Sequence, residues 1–472
     1  MKQNHIIQKV FVEITVNNKS KALSIKDDIN SFLSIDVLPE IENHIMALEY
    51  KLAGHTLQIP RLELNVEVKS SALNTELKDK IAELFKEELS EVAKPVEVSH
   101  QETENDTKAY LVDNQEKILK AFIYFLEEGT MPWWNSESNS MAILESSVFD
   151  RIISAGSFQK SIVSVLSKEN VRNRIINQLS NEQIAQLCLA ILKNKELKIN
   201  LNTDTIHHLS KLKHTDRIAI WRLIFNVISK YFNTSDNHPR EYLLQEFSAT
   251  KELGLSTTKN NHQNRKTIVK IFPFITENEI SESIKVNATD QPEDLKPLDP
   301  IQENVNQDKE QYIQNAGLIL IHPFIKTLFE HCELIDPKTQ QLTDPELCAH
   351  LLHYIATGKI NAPEYDMIFE KFLCNIPMNQ TINRHIKLSR KHKTQAKNVI
   401  ESVQHNWAPM KKSSAALVQN EFFQRPGKLV ITDSDYTLTV ERKTQDILLE
   451  KLSWGIGLVK LPWHKKFIFV NW

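Results

Sequence analysis

At 472 residues the chain exceeds what one hydrophobic core normally supports, so two to four domains are expected. With 41% hydrophobic and 25% charged residues and a formal net charge of -3, its balance gives no reason to expect nucleic acid as a partner. Four cysteines without a CxxC pair exclude a disulfide framework, and no run approaches the roughly 20 apolar residues that span a bilayer.

The start, Met-Lys-Gln-Asn-His-Ile-Ile-Gln-Lys, lacks the apolar core and small-residue cleavage site of a signal peptide. A cytoplasmic chain is expected, or one that leaves only within an assembly. Only 9 glycines stand against 17 prolines, with Leu, Ile, Lys, Glu and Asn abundant, which favours helix over sheet. The expected fold class is α+β, predominantly α-helical.

Residues 5–16 alternate, with Val10, Val12, Ile14 and Val16 on one face and Lys9, Glu13 and Thr15 on the other, the pattern of a half-buried strand. A helical stripe over residues 24–51 is expected to break at Pro39. Leu62, Leu64, Val66 and Val68 alternate with Arg61, Glu63, Asn65 and Glu67 in a second expected strand. Asn74 can cap a helix whose stripe is Leu77, Ile81, Leu84, Phe85 and Leu89. This β-α-β-α unit, residues 1–95, needs further strands, because two alone are marginal; the C-terminal strands or another copy are candidates.

Residues 96–112 read as a linker, and helical periodicity resumes in an array over residues 113–275. Ile118, Leu119, Phe122, Phe125 and Leu126 form a first stripe, stopped by Gly129 and Pro132. Trp133 and Trp134 follow as a seal over a core, with a partner-docking patch as the alternative. Short amphipathic helices are expected over residues 152–166, 171–179, 184–192, 207–212 and 217–231, with Ser180-Asn-Glu-Gln as a capping stretch. Residues 276–311 are acidic, carry Pro292, Pro297 and Pro300, and read as a flexible linker.

Residues 312–472 form the C-terminal module, which opens on the most apolar part of the chain. Leu318, Ile321, Ile325, Leu328 and Phe329, then Leu347, Leu351, Leu352 and Ile355, then Tyr365, Ile368, Phe369, Phe372 and Leu373 recur in steps of three and four. These are three short helices that must pack on one another. A basic stretch, residues 384–397, leads into a helix ended by Trp407 and Pro409. From Lys428 the period becomes two: Leu429 and Ile431, an Asp433-Ser-Asp turn, then Leu438 and Val440 make a β-hairpin. A short helix from Thr444 and a strand-like end, Phe467 to Trp472, close the chain.

No G-x-x-x-x-G-K-[ST], G-x-G-x-x-G, Gly-x-Ser-x-Gly or His-Glu-x-x-His can be written from this chain. The strongest chemical candidate is His350 and His353, three apart on one helix beside Cys348, with His331, Cys332 and Cys374 on neighbouring elements. The set matches no zinc spacing, and Leu351 and Leu352 belong to the core stripe, so packed helix residues are the simpler reading. The basic stretch lacks an aromatic residue to stack on a base and reads as a solvated face or a surface for an acidic partner. No catalytic residue, metal or cofactor is expected.

Several segments carry a resemblance. Asn315-Ala-Gly-Leu-Ile-Leu-Ile-His-Pro-Phe, His350-Leu-Leu-His-Tyr-Ile-Ala-Thr-Gly and Lys371-Phe-Leu-Cys-Asn-Ile-Pro are joined by Glu421-Phe-Phe-Gln-Arg-Pro-Gly-Lys-Leu and Trp454-Gly-Ile-Gly-Leu-Val-Lys-Leu-Pro-Trp-His. In order and spacing they resemble the signature segments of contractile injection system tape measure proteins, components of phage-tail-like machines. Weaker echoes lie in His5-Ile-Ile-Gln-Lys-Val and Gly129-Thr-Met-Pro-Trp-Trp.

The resemblance implies a structural protein that sets inner tube and sheath length and meets inner tube and baseplate or spike proteins, without nucleic acid or membrane insertion. It marks Asn315, Gly317, Pro323, Phe324, His350, His353, Gly358, Pro377, Trp133, Trp134, Trp454, Pro462 and Trp463 as interface or folding positions. A wholly helical rod of this chain would reach at most roughly 700 Å, at about 1.5 Å per residue. The short helices, prolines and linkers do not describe such a rod, and the alternative is a baseplate or tube-assembly adaptor. A metal-dependent enzyme on His350 and His353 is a third reading.

Overall fold

The structure, a computed structural model, describes residues 6–16, 18–52, 55–68, 73, 75–92, 110–135, 142–193, 195–233, 239–249, 259–280 and 309–472. The chain divides into two compact units, Met1–Lys120 and Ala121–Trp472, and is predominantly α-helical with small sheets.

In the first unit, helix α1 (Lys19–Phe32) starts where the Asn18 side chain accepts from the backbone amides of Ser20 and Lys21. A wide π-type turn, Leu33–Val37, carries the chain into α2 (Leu38–Leu52). Pro39 does not break this run. It stands just after the π-type turn, where the helical hydrogen bonds are already respaced and the Leu38 amide bonds the Leu33 carbonyl. Strand β1 (His55–Gln58) pairs antiparallel with β2 (Tyr110–Asp113), and α3 (Thr75–Val92) lies between them in sequence.

Both expected strands need correction. Residues 6–16 and 61–68 take part in no ladder among the described residues, and the ladder described in this unit is β1 with β2. The second stretch keeps its alternation in burial: Leu62, Leu64, Val66 and Val68 are half-buried while Arg61, Glu63, Asn65 and Glu67 are exposed. In the first, residues 7 to 15 are exposed throughout. Asn74, residues 96–109 of the expected linker and most of the acidic stretch, residues 281–308, lie outside the described residues, while the end of that linker, residues 110–112, belongs to β2.

Helix α4 (Asn114–Glu128) spans the division between the units and stops at Gly129, whose φ of 81° few other residues adopt. Short helices follow in the second unit: α5 (Ser146–Ile153), α6 (Phe158–Leu166), α7 (Glu169–Gln178), α8 (Asn181–Ile191), α9 (Thr203–Ser210), α10 (His214–Asn233), α11 (Pro239–Ala249) and α12 (Lys259–Ile271). The helix expected over 152–166 is two, turned at residues 154–157 around Gly156. Ser180 and Gln183 form the anticipated capping box of α8. Asn181 then ties α8 to α10, accepting from Trp221 Nε1 at 2.8 Å and Arg217 Nε at 2.7 Å.

The C-terminal part packs helices on a five-stranded sheet. Its strands are β3 (Lys309–Ile313), β4 (Gly427–Ile431), β5 (Tyr436–Val440), β6 (Leu458–Val459) and β7 (Ile468–Asn471), in the order β3-β4-β5-β7-β6. All pairs are antiparallel except β5 with β7. Leu429, Leu438, Val440, Ile468 and Val470 point inward at a period of two. Against them lie α13 (His322–His331), α14 (Pro345–Thr357), α15 (Ile368–Leu373), α16 (Arg390–Asn406) and α17 (Ala415–Val418). No helix among the described residues is long and apolar enough to cross a membrane.

Candidate functional site

The signature segments converge on the core of the second unit. Asn315 adopts φ 57°, a left-handed conformation that asparagine tolerates, and precedes the 3-10 turn Ala316–Ile321. Its buried amide donates to Glu370 Oε1 at 2.8 Å. His353 Nδ1 lies 2.8 Å from the same oxygen. His350 faces elsewhere: its Nε2–H donates to the Asn383 carbonyl at 2.8 Å, and burial lowers its pKa to about 4. The two histidines therefore serve different partners. Among the described residues no group of three or more His, Cys, Asp and Glu is placed to hold a metal ion.

Gly317 is required by close approach, because a Cβ there would stand 1.7 Å from the Phe422 carbonyl oxygen. Thus the first signature segment and the Glu421-Phe-Phe segment are pressed backbone to backbone. Pro323 sits in the first turn of α13, and Gly358 ends α14 at φ 70°. Pro377 and Pro462 are exposed turn residues. Trp454 packs edge-on against Phe324 with ring centres 5.5 Å apart, and its Nε1 donates to the Leu320 carbonyl at 3.0 Å. Trp463 is buried against Phe329 and donates to the Leu373 carbonyl at 2.7 Å. Trp133 and Trp134 are half-buried in a 3-10 turn, Trp133–Asn135, after Gly129.

Beside this core lies a charged cluster with no solvent exposure. Arg174 on α7 donates from Nε to Glu364 Oε2 at 3.3 Å, while Lys371 on α15 donates to Glu364 Oε1 at 2.7 Å. Thr381 Oγ1 adds a bond to Glu364 Oε2 at 3.1 Å. The remaining donors find carbonyls: Arg174 those of Leu126, Glu127 and Asn379, Lys371 those of Met378 and Gln380. Gln178, one turn after Arg174, accepts from the Glu364 amide at 2.8 Å and donates to the Ile382 carbonyl at 2.7 Å. Burial lowers the Lys371 pKa, and Glu364 opposes that shift. A Cβ on Gly129 would meet both Arg174 Nη2 and Glu364 Oε1 at 2.7 Å, so the glycine that ends α4 also makes room for the ion pair.

A second anchor closes the C-terminal region. Buried Arg425 donates to Asp446 Oδ1 at 2.8 Å and to the Glu441 carbonyl at 3.1 Å, and Trp472 Nε1 donates to Asp446 Oδ2 at 3.0 Å. The basic stretch is engaged within the chain at several points. Lys391 pairs with Glu333 at 2.7 Å, and Arg384 Nε donates to the Asn361 carbonyl at 2.8 Å.

Arg174, Gln178, Glu364, Glu370 and Lys371 were not anticipated from the sequence. A signal for some of them was present: Val171, Arg174, Ile175 and Gln178 occupy i, i+3, i+4 and i+7 of one helix face, and Lys371 interrupts the Ile368–Phe372 stripe. A charge standing in a core stripe marks a buried pair.

This core is built from the segments that carried the resemblance, and the sequence profile of the contractile injection system tape measure protein family matches residues 4–472. The chain belongs to that family. Neither a comparison with curated proteins nor one with solved structures finds a match. Membership of the tape measure family makes the chain a component of a contractile injection machine. The family is a structural one, and it places a member among other machine proteins in the assembled particle.

Proposed function

We propose that this chain acts in the contractile injection machine as a folded assembly adaptor, docking onto inner tube and baseplate or spike proteins without catalysing a reaction. The observation that carries this reading is the Arg174–Glu364–Lys371 cluster. It joins side chains 190 residues apart in sequence at no solvent exposure, which holds the second unit as a closed body. Drawing such a unit into a rod would strip partners from buried charges at roughly 3–5 kcal/mol for a broken pair, besides exposing its core. The longest described helix of the second unit, α10, has 20 residues and reaches only about 30 Å.

The family description favours a second reading, in which chain length sets tube length. Inserting about thirty residues between Pro300 and Asn306 separates the two. A contour ruler lengthens the particles seen by electron microscopy in proportion to the insert. The adaptor reading leaves their length distribution unchanged, and it expects Glu364→Ala to reduce particle number at constant length.

A further inference from the structure

Ile7, Val10, Phe11, Val12 and Ile14 form a run of exposed large apolar side chains, with Phe11 82% exposed. They sit in a segment, residues 6–16, that alternates by sequence and belongs to no ladder among the described residues. Such a segment has unused backbone donors and acceptors and an apolar face, the two features a strand needs from a neighbour.

What covers it is indicated by the charges. Lys9 and Glu13 are equidistant from Phe11. When two copies pair antiparallel about Phe11, Ile6 stands opposite Val16, Ile7 opposite Thr15, Gln8 opposite Ile14, Lys9 opposite Glu13, and Val10 opposite Val12. Both Lys9–Glu13 pairs are then satisfied, and Val10, Val12, Ile14 and Val16 of each copy share one face. A parallel in-register pairing sets Lys9 beside Lys9 and Glu13 beside Glu13. A slip of one residue puts Lys9 opposite Val12 and turns the apolar set of one strand to the wrong side. Only the antiparallel register centred on Phe11 satisfies both Lys9–Glu13 pairs while keeping the faces together.

We propose that residues 6–16 self-associate with a second copy of this chain as an antiparallel two-stranded ribbon centred on Phe11. Independent of the adaptor reading, this is a statement about the free protein. The ribbon supplies strands that the first unit lacks alone, and its apolar face is a continuous platform of two copies.

The test uses the full chain in analytical ultracentrifugation. Wild type is expected to dimerise in the micromolar range, and Lys9→Glu or Glu13→Lys, each of which places like charges opposite one another twice, to weaken it by at least about tenfold. An equimolar mixture of the two variants restores complementarity at both positions and is expected to give a mixed dimer with wild-type affinity. A monomeric wild type, or variants as dimeric as wild type, overturns the proposal. So does a mixture that stays monomeric when each variant alone has lost the dimer, which would assign the segment to a different partner. The segment is exposed, so circular dichroism identical to wild type confirms that each charge variant is folded.

Discussion

The two units answer the same physical demand in opposite ways. The second buries its charges as well as its greasy residues: Arg174, Glu364, Lys371 and Arg425 have no solvent exposure, and each has a partner. Among its described residues the first buries Ile25, Phe32, Val37, Phe85, Leu89, Val112, Ile118 and Leu119, has a four-residue ladder, and leaves the apolar side chains of residues 7–14 in water. A unit that satisfies itself is a body to be docked, whereas one that leaves a strand's worth of apolar surface exposed asks for another chain. In a machine component the contrast separates the part that holds its shape from the part that joins.

The largest effect on this contrast belongs to the buried cluster. Glu364→Ala leaves Arg174 and Lys371 as uncompensated buried cations and is expected to destabilise the second unit by about 3–5 kcal/mol, read as a lowered urea midpoint by tryptophan fluorescence. Gly317→Ala drives a methyl into the Phe422 carbonyl and is expected to cost about 1–3 kcal/mol in the same assay. A loss smaller than about 0.5 kcal/mol would show that the two signature segments are not pressed together as described.

Acid should act on the second unit through its buried histidines. Burial holds His350 and His322 at about 4, below the ordinary histidine range, so the unfolded chain takes up protons that the native state refuses. Their contribution is complete above about pH 6.5 and declines as pH falls toward 4. Glu346 and Asp366, held above the usual carboxylate range by burial, act in the opposite sense at the acid end. The difference between wild type and His350→Gln isolates the histidine. Wild-type stability should fall more steeply between pH 6.5 and 4, by about 1–3 kcal/mol.

Trp454→Phe keeps the edge-on contact with Phe324 but removes the hydrogen bond to Leu320, for a loss of about 1 kcal/mol. At the small end, Phe11→Ser in the first unit should change monomer stability by less than about 0.5 kcal/mol while weakening self-association. That pairing of outcomes, silent in the monomer and loud in the dimer, is the mark of a joining surface.

Periodicity foretold the helices well because their stripes are long enough to be read locally. Ile325, Leu328 and Phe329 on α13, and Leu351, Leu352 and Ile355 on α14, lie in the core where their spacing put them. The hairpin was readable for the same reason, since Leu429 and Leu438 flank a polar turn. Strand pairing is not local. The alternation at Leu62–Val68 is as clean as that of β5, yet no ladder forms there among the described residues, while Tyr110–Asp113 and Lys309–Ile313 pair as strands across the ends of stretches read as linker. Tryptophans marked for docking or core are divided by their partners: Trp454 and Trp463 donate into the core, whereas Trp133 and Trp134 stay half-exposed. The ion cluster was hidden because its members come from three separate segments, and no single window shows a charge finding its counter-charge 190 residues away.

Hydrogen exchange on intact particles bears most directly on whether this chain works folded. The account predicts that amides of α7 and α15, which carry Arg174 and Lys371, stay protected in the assembled machine to the same degree as in the free protein. Exchange of those amides within seconds, with protection lost along both helices, would show that the unit is drawn out in the particle and would contradict it.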